Sequence, residues 1–177
     1  MNAIIDRRET RAEEIRFAVR TFSLGTVLVA ISSMGVVAIL MGDDGPLLRR
    51  ELVNAFPRTH LVADETGLED RLQTVVAFLE APQDGLNLPL DIRGSALQRA
   101  VWNALRDVPA GRTTTYGEVA TALLLSASAQ EVGAACAANV LAVAIPCHRV
   151  VKADGAIGGY RWGMQRKRKL IQRELAR

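Results

Sequence analysis

The sequence predicts a small α/β lobe followed by a mostly α-helical one, and three observations carry that reading. Residues 22–42 contain no charged side chain, and Ser32, Ser33 and Gly35 divide them into two β-branched, strand-length runs, Thr26–Ile31 and Val36–Leu40. Such runs around a small polar turn make a buried β-hairpin. From Ser95 onward apolar residues recur mostly at helical spacing. The charge also changes sign: residues 1–94 carry 10 Lys and Arg against 14 Asp and Glu, residues 95–177 carry 12 against 5, so the halves stand at −4 and +7 within a net +3. At 177 residues the chain holds one ordinary domain or two small lobes with enough length to bury a core.

Taken in order, residues 1–16 are dense in charge (Arg7, Arg8, Glu9, Arg11, Glu13, Glu14) and offer little apolar face, so a flexible tail is expected there. The uncharged stretch that follows is nearly long enough to span a bilayer. Its polar interruption and β-branched composition favour the hairpin instead, and no membrane association is expected. Gly42-Asp43-Asp44-Gly45-Pro46 is a turn, and Leu47, Leu48, Leu52 and Val53 at helical spacing make a short helix ending before Pro57. His60–Ala63 reads as a third strand, Leu68, Leu72, Val75, Val76 and Leu79 as an amphipathic helix, and residues 86–92 as extended chain.

Gly94-Ser95 opens the second lobe, with Ser95 as N-cap of a helix that carries Leu97, Val101, Trp102 and Leu105 on one face and stops before Pro109. Residues 113–117 are strand or loop, and a helix runs from Glu118 to about Leu125. Ser128 with Glu131 three residues on is a capping box opening a helix over Ala129–Ala138. Two short helices a few residues apart suit a helix-turn-helix, although many helical hairpins bind nothing. Gly155, Gly158 and Gly159 mark a glycine-rich loop before a basic final helix over residues 165–176.

The chemistry is expected at Ala144-Ile145-Pro146-Cys147-His148-Arg149-Val150-Val151, where a cysteine and a histidine adjoin between apolar runs. A thiol is weakly ionised at neutral pH, and an imidazole nearby can take its proton to leave a reactive thiolate. Neighbours on an extended segment point to opposite faces, so His148 reaches the sulfur more easily through a water, and a third group must orient the ring. Taken alone, the pair is equally a core thiol beside a satisfied polar residue. Cys136, in an Ala-rich helix, reads as core. Two cysteines are too few for a disulfide scaffold and no secretory signal opens the sequence, so a reducing, cytoplasmic setting is expected. His60 stands alone in a polar region, neither histidine has a partner at zinc-finger spacing, and no metal site is expected. The basic half suits an anionic partner such as nucleic acid, or is a solvated surface.

Pro146 through Val150 closely resembles the active-site motif of the O6-alkylguanine-DNA alkyltransferases, above all the alkyltransferase domain of bacterial adaptive-response proteins. Leu90-Asp91-Ile92-Arg93-Gly94, Val101-Trp102-Asn103-Ala104-Leu105, Cys136-Ala137-Ala138-Asn139 and Gly159-Tyr160-Arg161-Trp162-Gly163 extend the likeness. The resemblance implies an RNase H-like scaffold over residues 17–93 and a winged-helix-like, helix-turn-helix DNA-binding lobe over residues 94–177. It implies a single-turnover methylated-DNA-protein-cysteine S-methyltransferase that needs no cofactor. Such a protein acts as a monomer on the minor groove of double-stranded DNA carrying O6-alkylguanine.

Carried over to this sequence, Cys147 accepts the alkyl group, His148 deprotonates it through a water, and Glu174 orients His148. Asn139 joins the recognition helix to the active-site turn, and Tyr116 donates a proton to the leaving guanine. Val151, Gly158, Tyr160 and Arg161 line the alkylguanine pocket, and Ala129, Gln130, Arg149 and Lys167 face DNA. One stretch departs from the family pattern. Leu124-Leu125-Ser126-Ala127-Ser128-Ala129-Gln130-Glu131 lacks the usual basic turn, and Gln130 stands where an arginine intrudes into the duplex. Two other readings stay open. A lesion-sensing DNA-binding protein with weak or no transfer would share the basic half, and a cysteine hydrolase would use the same residues with many turnovers.

Overall fold

The computed structural model describes residues 12–123 and 126–176. Three strands open it: β1 (Glu14–Phe22), β2 (Gly25–Ser32) and β3 (Gly35–Gly42). They are followed by α1 (Gly45–Ala55), β4 (His60–Ala63) and α2 (Glu69–Glu80). The sheet order is β3-β2-β1-β4, with β1 antiparallel to β2, β2 antiparallel to β3, and β4 parallel to β1. Thus β4, read from sequence as the third strand, is the fourth.

The strand the sequence reading lacked is β1. Its segment, EIRFAVRTF, alternates charged and apolar residues, which is the period of a half-buried strand. The expected tail therefore ends earlier than residue 16; residues 1–11 lie outside the described part. Ile15 and Phe17 enter the core, while Arg16 pairs with Asp64 and Arg20 with Glu69 across the sheet surface. A charge-dense sequence is compatible with order once each charge has a partner on the next element.

Burial explains the uncharged hairpin. Residues 26–30 of β2 and 36–41 of β3 are continuously buried, so both faces of these strands are covered. α1 packs against β2 and β3 through Leu48 and Leu52, and α2 against β1 and β2. Leu47 and Val53 of α1 are exposed, which narrows the apolar face expected there. No helix among the described residues is long and apolar enough to cross a membrane.

The outer edge of β3 is closed by two segments from later in the chain. The amide of Val36 donates to Pro89 O and that of Asp91 donates to Val36 O, each at 2.8 Å, so residues 89–91 pair like a short strand. Further along, Ile39 N donates to Val140 O (2.8 Å) and Ala142 N to Ile39 O (3.0 Å). An edge left open would expose a row of unpaired backbone groups; here it anchors residues 140–142, immediately upstream of Cys147.

The remaining elements are α3 (Ala96–Arg106), β5 (Thr114–Thr115), α4 (Tyr116–Ala122), α5 (Ala129–Ala138), β6 (Val150–Val151) and α6 (Met164–Leu175). Capping boxes start α3 at Ser95/Gln98, α4 at Thr115/Glu118 and α5 at Ser128/Glu131. Each satisfies orphan amides of the first turn from both directions. α4 ends at Ala122, and the expected last residues of this helix, Leu124 and Leu125, lie outside the described part. α3, α4 and α5 pack on one another, and the buried Trp102 indole donates to Ala135 O (2.9 Å), fixing α3 to α5. β5 and β6 form a small parallel pair that holds the chain beyond Cys147.

Candidate active site

Four backbone segments line the cavity at the Cys147 sulfur: α4 at Tyr116, α5, the turn that carries Cys147, and the loop at residues 159–161. Cys147 opens a single 3-10 turn, Cys147–Arg149, preceded by Pro146. The approach is tight. Val143 has φ of +66°, a left-handed conformation that is costly for a β-branched residue, and it persists because both flanks are hydrogen-bonded. Ile145 N donates to Leu141 O (3.0 Å), and Leu141 is itself bridged to Ile39 of β3.

Asn139 ends α5 with extended rather than left-handed backbone, so its role is carried by its side chain. The fully buried amide accepts from Leu141 N at 2.8 Å and donates to Ile145 O at 3.0 Å and toward Cys147 Sγ at 3.4 Å. One side chain thus fixes the end of α5, the turn and the sulfur.

His148 is fully buried, and its Nε2 lies 2.7 Å from Glu174 Oε1. With Nε2 carrying the proton toward the carboxylate, Nδ1 is left as a lone-pair acceptor; it is buried and has no protein hydrogen-bond partner among the described residues. Glu174, near the end of α6, also accepts two hydrogen bonds from Arg149, at 3.0 Å from Nε and 2.8 Å from Nη2. Burial pushes this carboxyl up, but the hydrogen bonds from His148 and Arg149 outweigh it and hold it down at about 2. Burial pushes the His148 imidazole below its ordinary value despite the carboxylate, so the ring is neutral at physiological pH. The neighbouring Cys136 thiol, together with burial, pushes the Cys147 thiol up. The site is therefore a thiol beside a neutral base and not a preformed ion pair.

A cavity of about 300 Å³ opens in front of the sulfur, lined by Tyr116, Gly133, Cys136, Cys147, Tyr160 and Arg161 among others. Burial pushes the Tyr116 phenol up, which keeps its proton available for donation at neutral pH. Gly158 is buried behind Tyr116, where an added Cβ would lie 3.2 Å from the phenol oxygen. Arg161 is held by Glu51 of α1 (Nε to Oε1, 2.9 Å) and by Ala137 O (2.8 Å), which ties the loop after β6 to the first half of the chain.

The structure brings together Cys147, His148, Glu174, Asn139, Tyr116, Tyr160 and Arg161. Val151 and Gly158 are buried next to the site but are not among the cavity-lining residues. Arg149 and Lys167, expected to face DNA, are corrected. Arg149 is 8% exposed and occupied by Glu174 and by Val108 O (2.5 Å). Lys167 is 0% exposed, its ammonium donating to Val150 O (2.5 Å) and Gly159 O (3.2 Å). Cations buried this deeply and bonded to protein acceptors are withdrawn from a phosphate outside. Ala129 and Gln130 are exposed on the first turn of α5. Cys136, read as core, is half-buried and lines the cavity. Gly133, Cys136 and Ala137 fall three and four residues apart on one face of α5, a spacing that would have revealed them.

Residues 96–176 match the family described as 6-O-methylguanine DNA methyltransferase, DNA binding domain. The chain is 44% identical over 160 residues to the bifunctional transcriptional activator/DNA repair enzyme Ada of Escherichia coli, covering 90% of this chain and 45% of that protein. It thus spans about half the length of that relative. It is 36% identical over 120 residues to a methylated-DNA–protein-cysteine methyltransferase of Mycobacterium tuberculosis, covering 68% of this chain and 73% of the relative. The fold is similar to the crystal structure of Mycobacterium tuberculosis OGT in complex with DNA, with a TM-score of 0.75 and 28% identity over 91% of this chain and 93% of that one.

Glu174→Gln keeps the shape of the side chain but leaves the Arg149 guanidinium buried without a counter-ion, and should cost about 3 kcal/mol of stability. Urea denaturation of both proteins at neutral pH measures this. The carboxyl is depressed from 4.5 to about 2, so its contribution is fully present above pH 4.5 and is lost as pH falls toward 2. The advantage of the wild type should shrink through that window. Equal stability at neutral pH would show that the buried pair does not hold the fold.

Proposed function

From the premise that the chain belongs to the methylated-DNA–protein-cysteine methyltransferase family, we propose that it repairs O6-alkylguanine in DNA by moving the alkyl group irreversibly onto Cys147. The observation that carries this is the buried Glu174–His148 pair: its second ring nitrogen has no hydrogen-bond partner among the described residues, and the residue before His148 is a thiol facing a cavity. His148 Nδ1 takes the thiol proton through a water, the sulfur attacks the alkyl carbon as its bond to O6 breaks, and Tyr116 returns a proton to the leaving guanine. The new thioether has no route back to a thiol, so each chain reacts once. No cofactor takes part.

The finer architecture belongs to the same proposal. Residues 17–93 serve as an RNase H-like scaffold, and α4 and α5 act as a helix-turn-helix in a winged-helix-like lobe over residues 94–177. α5 enters the minor groove of duplex DNA, with the protein acting as a cytoplasmic monomer. A cavity of about 300 Å³ in front of a buried sulfur admits only a base taken out of the stack, and flipping costs a few kcal/mol of lost stacking, at most partly offset by bending and minor-groove contacts.

Incubation with duplex carrying radiolabelled O6-methylguanine, followed by isolation of the protein, tests the reaction. At most one label per chain should appear on the wild type and none on Cys147→Ser. Label on the Ser variant, or product beyond one equivalent, would overturn the reading.

Gln130 sets the expected rate on duplex DNA. It is exposed on the first turn of α5, and Glu131 beside it is folded back onto Ser128 at 2.8 Å, still charged. An arginine here would add charge toward phosphates and a planar group to fill the vacated stack, whereas glutamine offers hydrogen bonds alone. Gln130→Arg should speed duplex repair by roughly tenfold, equivalent to about 1.4 kcal/mol. It should leave the reaction with free O6-benzylguanine unchanged. Single-turnover rates on both substrates check this, and an unchanged or lower duplex rate would show that Gln130 does not limit base extrusion.

A further inference from the structure

A second thiol in the pocket is not used by the proposed transfer. Cys136 lies on the face of α5 that lines the cavity, together with Gly133 and Ala137, while Cys147 closes the cavity from the 3-10 turn. The two thiols lie close enough for each to perturb the ionisation of the other. Both are free in this structure. Asn139 sits between the two segments: its backbone amide donates to Cys136 O (3.2 Å) and its side-chain amide toward Cys147 Sγ (3.4 Å). One residue therefore makes contacts to both cysteine segments, and the two thiols line the same cavity.

We infer that Cys136 is a redox modification site, forming a reversible disulfide with Cys147 when the protein meets peroxide. The two sulfurs differ in the way such a step needs. Cys136 is half-buried at the cavity wall, whereas Cys147 is only 4% exposed, so an oxidant entering the cavity meets Cys136 on its open side. The neighbouring Cys147 thiol lowers that of Cys136, and the buried Lys167 ammonium favours the thiolate form of either cysteine.

Peroxide transfers one oxygen to the Cys136 thiolate, giving a sulfenic acid and releasing hydroxide. The Cys147 sulfur then attacks that sulfur; the S–S bond forms, the S–O bond breaks, and the oxygen leaves as water. In sum two thiols and one hydrogen peroxide give one disulfide and two waters. A sulfenic acid with no thiol beside it goes on to sulfinic and sulfonic acids, which ordinary thiols do not reverse. For a protein whose proposed acceptor is used once, the disulfide would keep an unspent acceptor recoverable.

The test treats the full chain with hydrogen peroxide, blocks remaining thiols with iodoacetamide, and determines intact mass and the Cys136–Cys147 peptide linkage, before and after dithiothreitol. The wild type should lose two hydrogens, resist alkylation at both cysteines, and recover its own unoxidised rate with O6-benzylguanine on reduction. Cys136→Ser, or Cys136→Ala if the serine variant folds poorly, should gain oxygen on Cys147 and fail to recover. Oxygen gain by the wild type in place of hydrogen loss, or equal recovery by the variant, would overturn the proposal. The mass measurement does not depend on alkyl transfer, so failure of the acceptor reading and failure of the disulfide are seen separately.

Discussion

The Glu174 carboxylate is the interaction on which the rest of the site depends. It is 2% exposed at the side chain, yet it meets two donors that are adjacent in sequence, His148 and Arg149. Arg149 reaches on to Val108 O beyond α3, and Glu174 Oε2 also accepts from Gly111 N at 3.3 Å. One buried charge therefore joins α6, the 3-10 turn and the connection after α3. A buried carboxylate is costly unless it is paired and its lone pairs are filled. Here both conditions hold, and meeting them selects which nitrogen of His148 is left without a partner among the described residues.

The second constraint is mechanical. The open edge of β3 takes up residues 140–142 by backbone hydrogen bonds, so the turn that carries Cys147 is built onto the sheet of the first half of the chain. The strained Val143 and the buried Asn139 amide make sense in that light: the chain must reverse between the end of α5 and the sheet edge within a few residues. The Arg161–Glu51 pair holds the opposite wall of the cavity to α1 in the same way. The first half of the chain supplies none of the proposed reacting groups, but its sheet edge and α1 hold the turn that carries Cys147 and the opposite cavity wall.

Much of this was legible in the amino-acid order because local chemistry determined it. Ser95 and Ser128 open α3 and α5 where the sequence reading has them, and Ser128 with Glu131 marks its capping box by spacing alone. Thr115 and Glu118 have the same spacing, yet residues 113–117 read as strand or loop and the helix as starting at Glu118, two residues after its start at Tyr116. The hairpin followed from its β-branched runs. What escaped the reading depended on partners distant in sequence. β1 looked like a charged tail because Asp64 and Glu69, which pair with its arginines, lie on later elements. Arg149 and Lys167 looked like phosphate contacts because basic residues usually lie on the surface, and only the fold shows that carbonyls and Glu174 already occupy them. Cys136 looked like core for the same reason, since its neighbour across the cavity is supplied by a different segment.

The proposed transfer needs His148 as a neutral base held by Glu174, with its proton on Nε2 and its Nδ1 lone pair available. A pH titration of the His148 ring nitrogens by heteronuclear NMR, in the wild-type protein, measures this directly. The ring should be neutral and protonated on Nε2 at neutral pH, gaining a second proton only below the ordinary value of 6.5. A ring that is already an imidazolium at neutral pH, or one whose single proton sits on Nδ1, would contradict it.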